Sequence, residues 1–107
     1  MTMIETMRHF GIVVDDLDDS LLFYKKYFGF EIEIDAHEKG SFIEKILAKD
    51  GIELRTVKLL SKASDVKVEL IDFVKGEIVK RENNINYLGP THFAVTIKAI
   101  EEKYLRM

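Results

Sequence analysis

Hydrophobic and polar positions along the chain change period several times, and each change marks an element. From Met7 to Val14 the residues are apolar and β-branched with few interruptions, which predicts a short strand buried on both faces. Period two puts His9, Gly11 and Val13 on one face and Phe10, Ile12 and Val14 on the other. Leu17, Leu21, Tyr24 and Phe28 then recur at helical spacing. Asp15 and Asp16 precede them, Asp18 and Asp19 sit in the first turn, and Lys25, Lys26 and Gly29 close the far end, so a helix is predicted from the Asp15-Asp16 cap to Phe28. Phe30, Ile32 and Ile34 alternate with Glu31, Glu33 and Asp35, a half-buried strand ended by the polar stretch His37-Glu38-Lys39-Gly40.

Ser41 with Glu44 three residues on predicts a capping box opening a short helix with Phe42, Ile43, Ile46 and Leu47 on its apolar side. After the Asp50-Gly51 turn, Ile52 to Leu60 and Val66 to Phe73 read as two strands joined by the loop from Ser61 to Asp65, which predicts a hairpin. Residues 74–90 are a polar connector ending in Gly89-Pro90. A further strand is predicted over Thr91 to Ile97 and a second helix over Ala99 to Arg106.

The last strand repeats the first. His92-Phe93-Ala94-Val95 aligns with His9-Phe10-Gly11-Ile12, and the match continues through Ile100 with Leu17 and Glu101-Glu102 with Asp18-Asp19. A duplicated strand-helix unit explains the pair, although shared patterning of two such units can imitate one.

Composition narrows the function classes. The 107 residues suit one domain, and 47% hydrophobic with 33% charged residues is ordinary for a globular protein. A formal net charge of −3 without a dense basic cluster argues against a nucleic-acid partner. The absence of cysteine excludes a disulfide framework, a thiolate metal site and a Cys nucleophile, which fits a reducing compartment, and a cytoplasmic location is expected. The N-terminus lacks a basic region followed by an apolar one, and no apolar run reaches the roughly 20 residues of a membrane helix, so secretion and membrane insertion are disfavoured.

The order β-α-β-β-β followed by a new β-α start resembles the vicinal oxygen chelate superfamily, which holds glyoxalase I, methylmalonyl-CoA epimerase, extradiol dioxygenases and bleomycin- or fosfomycin-resistance proteins. The residues that carry the resemblance are His9-Phe10-Gly11-Ile12, the helix stretch from Asp16 to Tyr24, Tyr27-Phe28-Gly29-Phe30, Val68-Glu69-Leu70-Ile71 and Gly89-Pro90-Thr91-His92-Phe93-Ala94. It implies an α+β fold with a mixed, curved sheet: a first βαβββ module over residues 1–73, a connector over 74–90 and the start of a second, incomplete module over 91–107, all in one glyoxalase-like domain.

The resemblance also implies a divalent metal, of which His9, Glu69 and His92 match the first three ligands, and Glu69 stands as the candidate catalytic carboxylate. A fourth ligand, ordinarily a carboxylate late in the second module, has no counterpart before Met107, so water, a partner chain or a further C-terminal segment is expected to supply it. Two imidazoles and a carboxylate suit Zn, Ni, Co, Fe or Mn. Parity agrees, since His9, Glu69 and His92 each lie opposite apolar neighbours that would face a core. A packed core histidine is the competing reading for each imidazole, and a solvent-facing strand position the competing one for Glu69. The activity implied is that of a metal-dependent lyase or isomerase acting on a small carbonyl or thioester substrate through an enediolate-like intermediate. Two alternatives stand: a metal-free small-molecule (drug) binding protein of the same fold, and a shortened, inactive relative that acts through partners. His37 reads as a surface residue, and the Asp15 to Asp19 run as helix capping. Arg55, Thr56 and Lys58 read as exposed strand decoration unless their side lines a cleft. An open sheet edge and apolar helix face predict a homodimer.

Overall fold

In the computed structural model, residues 3–62, 65–81, 86, 88, 89, 93, 94 and 96 are described. The order is β1 (Phe10–Val13), α1 (Leu17–Phe28), β2 (Glu31–Lys39), α2 (Ser41–Leu47), β3 (Glu53–Leu60) and β4 (Lys67–Lys75). The four strands form one sheet in the order β1-β4-β3-β2. β1 runs parallel to β4, while β3 pairs antiparallel with both β4 and β2. This mixed βαβββ arrangement is the α+β architecture that the sequence predicts.

Helix α1 starts and stops for local reasons. The Asp16 carboxylate accepts the Asp19 N–H at 3.0 Å, satisfying one of the free donors of the first turn. At the other end Gly29 takes the left-handed conformation (φ 66°) and donates its N–H to the Tyr24 carbonyl. The helix buries Leu17 and Leu21 against Val57 and Leu59 of β3 and Val68 and Leu70 of β4. Phe10, Ile12, Val14, Tyr24 and Phe30 extend that core at its margin. Phe93 also joins this side, its ring 5.7 Å from Phe10 and 6.2 Å from Phe28.

Several boundaries depart from expectation. β1 is confined to four residues, because its ladder partner β4 begins only at Lys67, opposite the chain just before Phe10. β2 continues through His37, Glu38 and Lys39, whose backbone groups pair with β3 although their side chains are polar. The register of β2 shifts between Ile32 and Ile34, so Ile32 lies opposite Leu59 and Ile34 opposite Lys58. The bulge therefore sends these two isoleucines to opposite faces rather than to one. α2 forms over the expected residues, but Gly40 is its N-cap and no capping box closes; the Glu44 carboxylate instead accepts the Gly51 N–H at 2.6 Å. β4 extends two residues into the expected connector.

Of the strand expected over 91–97, Phe93, Ala94 and Thr96 are described and lie outside regular secondary structure. His92 and the helix expected over 99–106 lie outside the described residues. Among the described residues no helix is long and apolar enough to cross a membrane.

Candidate functional site

The sheet has two chemically different faces. Val57, Leu59, Val68 and Leu70 point toward α1. One residue away in each strand, Thr56, Lys58, Glu69 and Ile71 point to the other side, together with His9 and Gly11 from the β1 segment. Gly11 lies in register with Glu69, and a Cβ there would come within 2.9 Å of the Ile71 δ-methyl. The missing side chain lets Ile71 lie over the strand.

Parallel pairing of β1 with β4 brings His9 and Glu69 together, with Nε2 and Oε2 3.6 Å apart. Both side chains are mostly shielded, His9 at 28% and Glu69 at 17% exposure. The third residue of the expected ligand set, His92, is outside the described residues, and among those described no group of three metal-ligating side chains converges.

His9 also lines an open cavity of about 280 Å³, whose walls include Arg8, Glu33, Ile34, Lys58 and Lys67. The β2 bulge brings both Glu33 and Ile34 to this wall. Glu33 pairs across the sheet with Lys67, the closer carboxylate oxygen lying 2.8 Å from Nζ. Neither Arg8 nor Lys58 has an ion-pair partner among the described residues.

Arg55, next to Thr56 on β3, faces the other way. Its Nε and Nη2 donate to the two Asp35 oxygens at 3.1 and 2.8 Å, and Nη1 lies 3.5 Å from Asp18 in the first turn of α1. These hydrogen bonds hold the Asp35 carboxyl below its ordinary pKa and raise that of Arg55. Arg55 thus ties β2 and α1 to the sheet and is not available to a ligand in the cavity. His37 is a surface residue whose Nε2 pairs with Glu53, which also approaches Lys75.

Sequence reasoning missed Glu33 and Lys67 as cavity residues. The regular alternation Ile32-Glu33-Ile34 contains no sign of the bulge that redirects Glu33. Arg8 carried no signal either, because it precedes the ladder.

The described residues thus form a mixed βαβββ sheet with α1 packed on one face and an open polar cavity on the other. The sequence profile of the Glyoxalase/Bleomycin resistance protein/Dioxygenase superfamily matches residues 6–104, and the chain belongs to that superfamily. No curated protein matches it. Among solved structures, a glyoxalase family protein from Bacillus cereus is similar at TM-score 0.85 with 20% identity, over 98% of this chain and 71% of that one. The genomically encoded fosfomycin resistance protein FosX from Listeria monocytogenes is similar at TM-score 0.59 with 17% identity, over 97% of this chain and 66% of that one. A variant of FosX complexed with Mn(II) and 1S,2S-dihydroxypropylphosphonic acid gives 0.56 and 16%, over 97% and 70%.

Proposed function

We propose that this protein is a metal-dependent lyase or isomerase of the glyoxalase type, acting on a small carbonyl or thioester substrate, with His9, Glu69 and His92 as protein ligands of a divalent metal. The observation that carries the reading is the approach of His9 Nε2 to Glu69 Oε2 at 3.6 Å on the cavity side of the sheet. Two donors sharing one tetrahedral ion at bond lengths near 2.1 Å stand roughly 3.4 Å apart, so the observed pair needs almost no movement to fit. Imidazole and carboxylate form a nitrogen–oxygen donor set suited to Zn, Ni, Co, Fe or Mn, and the similar FosX structure holds Mn(II).

When bound, such an ion acts as a Lewis acid that polarises a carbonyl oxygen. The chain's own residues supply the rest. The parallel β1–β4 ladder holds His9 and Glu69 on one side, the α1 core fixes the strands behind them, and Glu69 is the carboxylate nearest to His9. Water, a partner chain or additional chain completes the coordination; this chain spans about 70% of the similar structures' length.

A homodimer belongs to the same reading. β2 occupies one sheet edge and carries Glu31, Glu33, Asp35, Glu38 and Lys39, a charge density that opposes edge pairing. The β1 edge, Phe10-Gly11-Ile12-Val13, carries no charge and is the edge suited to a second copy. A stable monomer in sedimentation at micromolar concentration refutes the dimer.

Metal analysis of protein purified without chelators tests the site. Stoichiometric divalent metal in the wild type, lost in His9→Ala, Glu69→Gln and His92→Ala, is expected. Wild type without metal, or variants that retain it, overturns the proposal and leaves the metal-free binding protein as the better account.

A further inference from the structure

The cavity contains cations that the metal site does not use. Lys58 lies opposite Glu69 on β3, on the same face of the sheet, and lines the cavity with His9. Directly opposed residues in an antiparallel pair have Cβ atoms about 5 Å apart, so the Lys58 side chain rises beside the His9–Glu69 pair. Yet Lys58 forms no ion pair among the described residues, and the same is true of Arg8, next to His9 in sequence and on the same cavity wall. Lys67 is matched by Glu33, and the Glu69 carboxylate lies beside His9. Asp65 is the other carboxylate on the lining, so Lys58 and Arg8 are the cavity's cations without an ion-pair partner among the described residues. Half-burial holds Lys58 where a charge-assisted hydrogen bond gains more than it would in open solvent.

We propose that the substrate carries an oxyanion group, carboxylate or phosphoryl-type, and that Lys58 receives it, assisted by Arg8. The proposal rests on the preceding reading only for the identity of the neighbouring centre. A lysine at this position binds the anion as a point charge and sets which carbonyl compounds are accepted, while the His9–Glu69 end takes the reacting oxygens. Lys67 differs because Glu33 already neutralises it, so removing the pair together, Lys67→Met with Glu33→Gln, leaves the net charge unchanged and affects anion binding little.

The test is titration of metal-stripped protein with inorganic phosphate and, separately, with acetate, followed by amide chemical shifts around residues 8, 58 and 69. Saturable shifts with one or both anions are expected, and the stronger of the two names the oxyanion class. Lys58→Met weakens that binding at least about tenfold, the loss expected for one charge-assisted hydrogen bond, while Lys58→Arg and the double variant Glu33→Gln with Lys67→Met stay within about threefold of wild type. The spectra themselves report whether each variant is folded. Absence of saturable binding, or equal binding by wild type and Lys58→Met, overturns the proposal. Zn(II) uptake measured on separate aliquots of the same protein separates the two readings: Lys58-dependent anion binding in a protein that takes up no metal refutes the metal site alone, and metal uptake without such binding refutes this inference alone.

Discussion

Leu70 and Glu69 are neighbours on β4 that the pleat sends to opposite faces, so replacing them should have opposite consequences. Leu70 is 0% exposed and packs in the cluster formed by Leu17, Leu21, Val57, Leu59 and Val68. Leu70→Ala deletes buried methyl groups and leaves a cavity between α1 and the sheet, a change that costs about 2–5 kcal/mol. For a domain of this size that lowers the Tm by about 10–25 °C. Glu69 has no part in that cluster. Its partner is His9 at 3.6 Å on a face that opens toward the cavity, and Gln keeps the shape and one acceptor. Glu69→Gln should therefore change stability by no more than about 1 kcal/mol, as expected for a partly exposed pair. Thermal unfolding by circular dichroism in metal-free buffer is the assay, so that bound metal adds nothing to the apparent stability of the wild type. Equal losses of Tm in the two variants, or a Leu70→Ala protein as stable as wild type, would refute the assignment of the two faces.

Three further outcomes follow from the scaffold. Asp35→Asn removes the carboxylate that accepts two hydrogen bonds from Arg55, at a cost of less than about 1 kcal/mol at neutral pH because both groups are well exposed. The folded-state pKa of Asp35 is depressed, so its contribution is complete above the unfolded value and vanishes as pH falls through the folded one. Urea midpoints of wild type and Asp35→Asn should thus differ at neutral pH and converge in acid below the ordinary carboxylate range; a constant gap contradicts this. Gly29→Ala places a Cβ at φ 66° with nothing within 4 Å, so its cost of about 1 kcal/mol is purely a backbone one, and Gly29→Asn should lose less in the same melting experiment. Asp16→Ala removes the N-cap acceptor and should lower stability by about 1 kcal/mol, with Asp16→Ser restoring most of it.

What the sequence made legible was set by local rules. α1 was readable to within a residue because its cap aspartates, its Leu17-Leu21-Tyr24-Phe28 stripe and Gly29 all act within a few residues of themselves. The division of β3 and β4 into a core face and a second face followed from period two, which Val57, Leu59, Val68 and Leu70 obey. Non-local pairing decided the rest. β1 begins where its parallel partner β4 begins, which no property of Met7 or Arg8 announces. His37, Glu38 and Lys39 stay in β2 because β3 satisfies their backbone, whereas polarity alone argued for a loop. The capping box failed because Glu44 found the Gly51 amide instead, a partner supplied by the turn after the helix. For the site, the repeat and the resemblance singled out His9, Glu69 and His92. The contact between the first two depends on a parallel pairing between the first and last strands of the module. The cavity's Lys67–Glu33 pair depends on a bulge hidden in a regular alternation.

The most direct test of the central claim, that the His9 and His92 imidazoles and the Glu69 carboxylate hold one metal ion, is X-ray absorption spectroscopy of the protein loaded with Zn(II). A nitrogen–oxygen shell with the outer-shell scattering of two imidazoles is expected in the wild type, and no stoichiometric zinc signal in His9→Ala. A shell without imidazole scattering, or the same spectrum from wild type and His9→Ala, would contradict it.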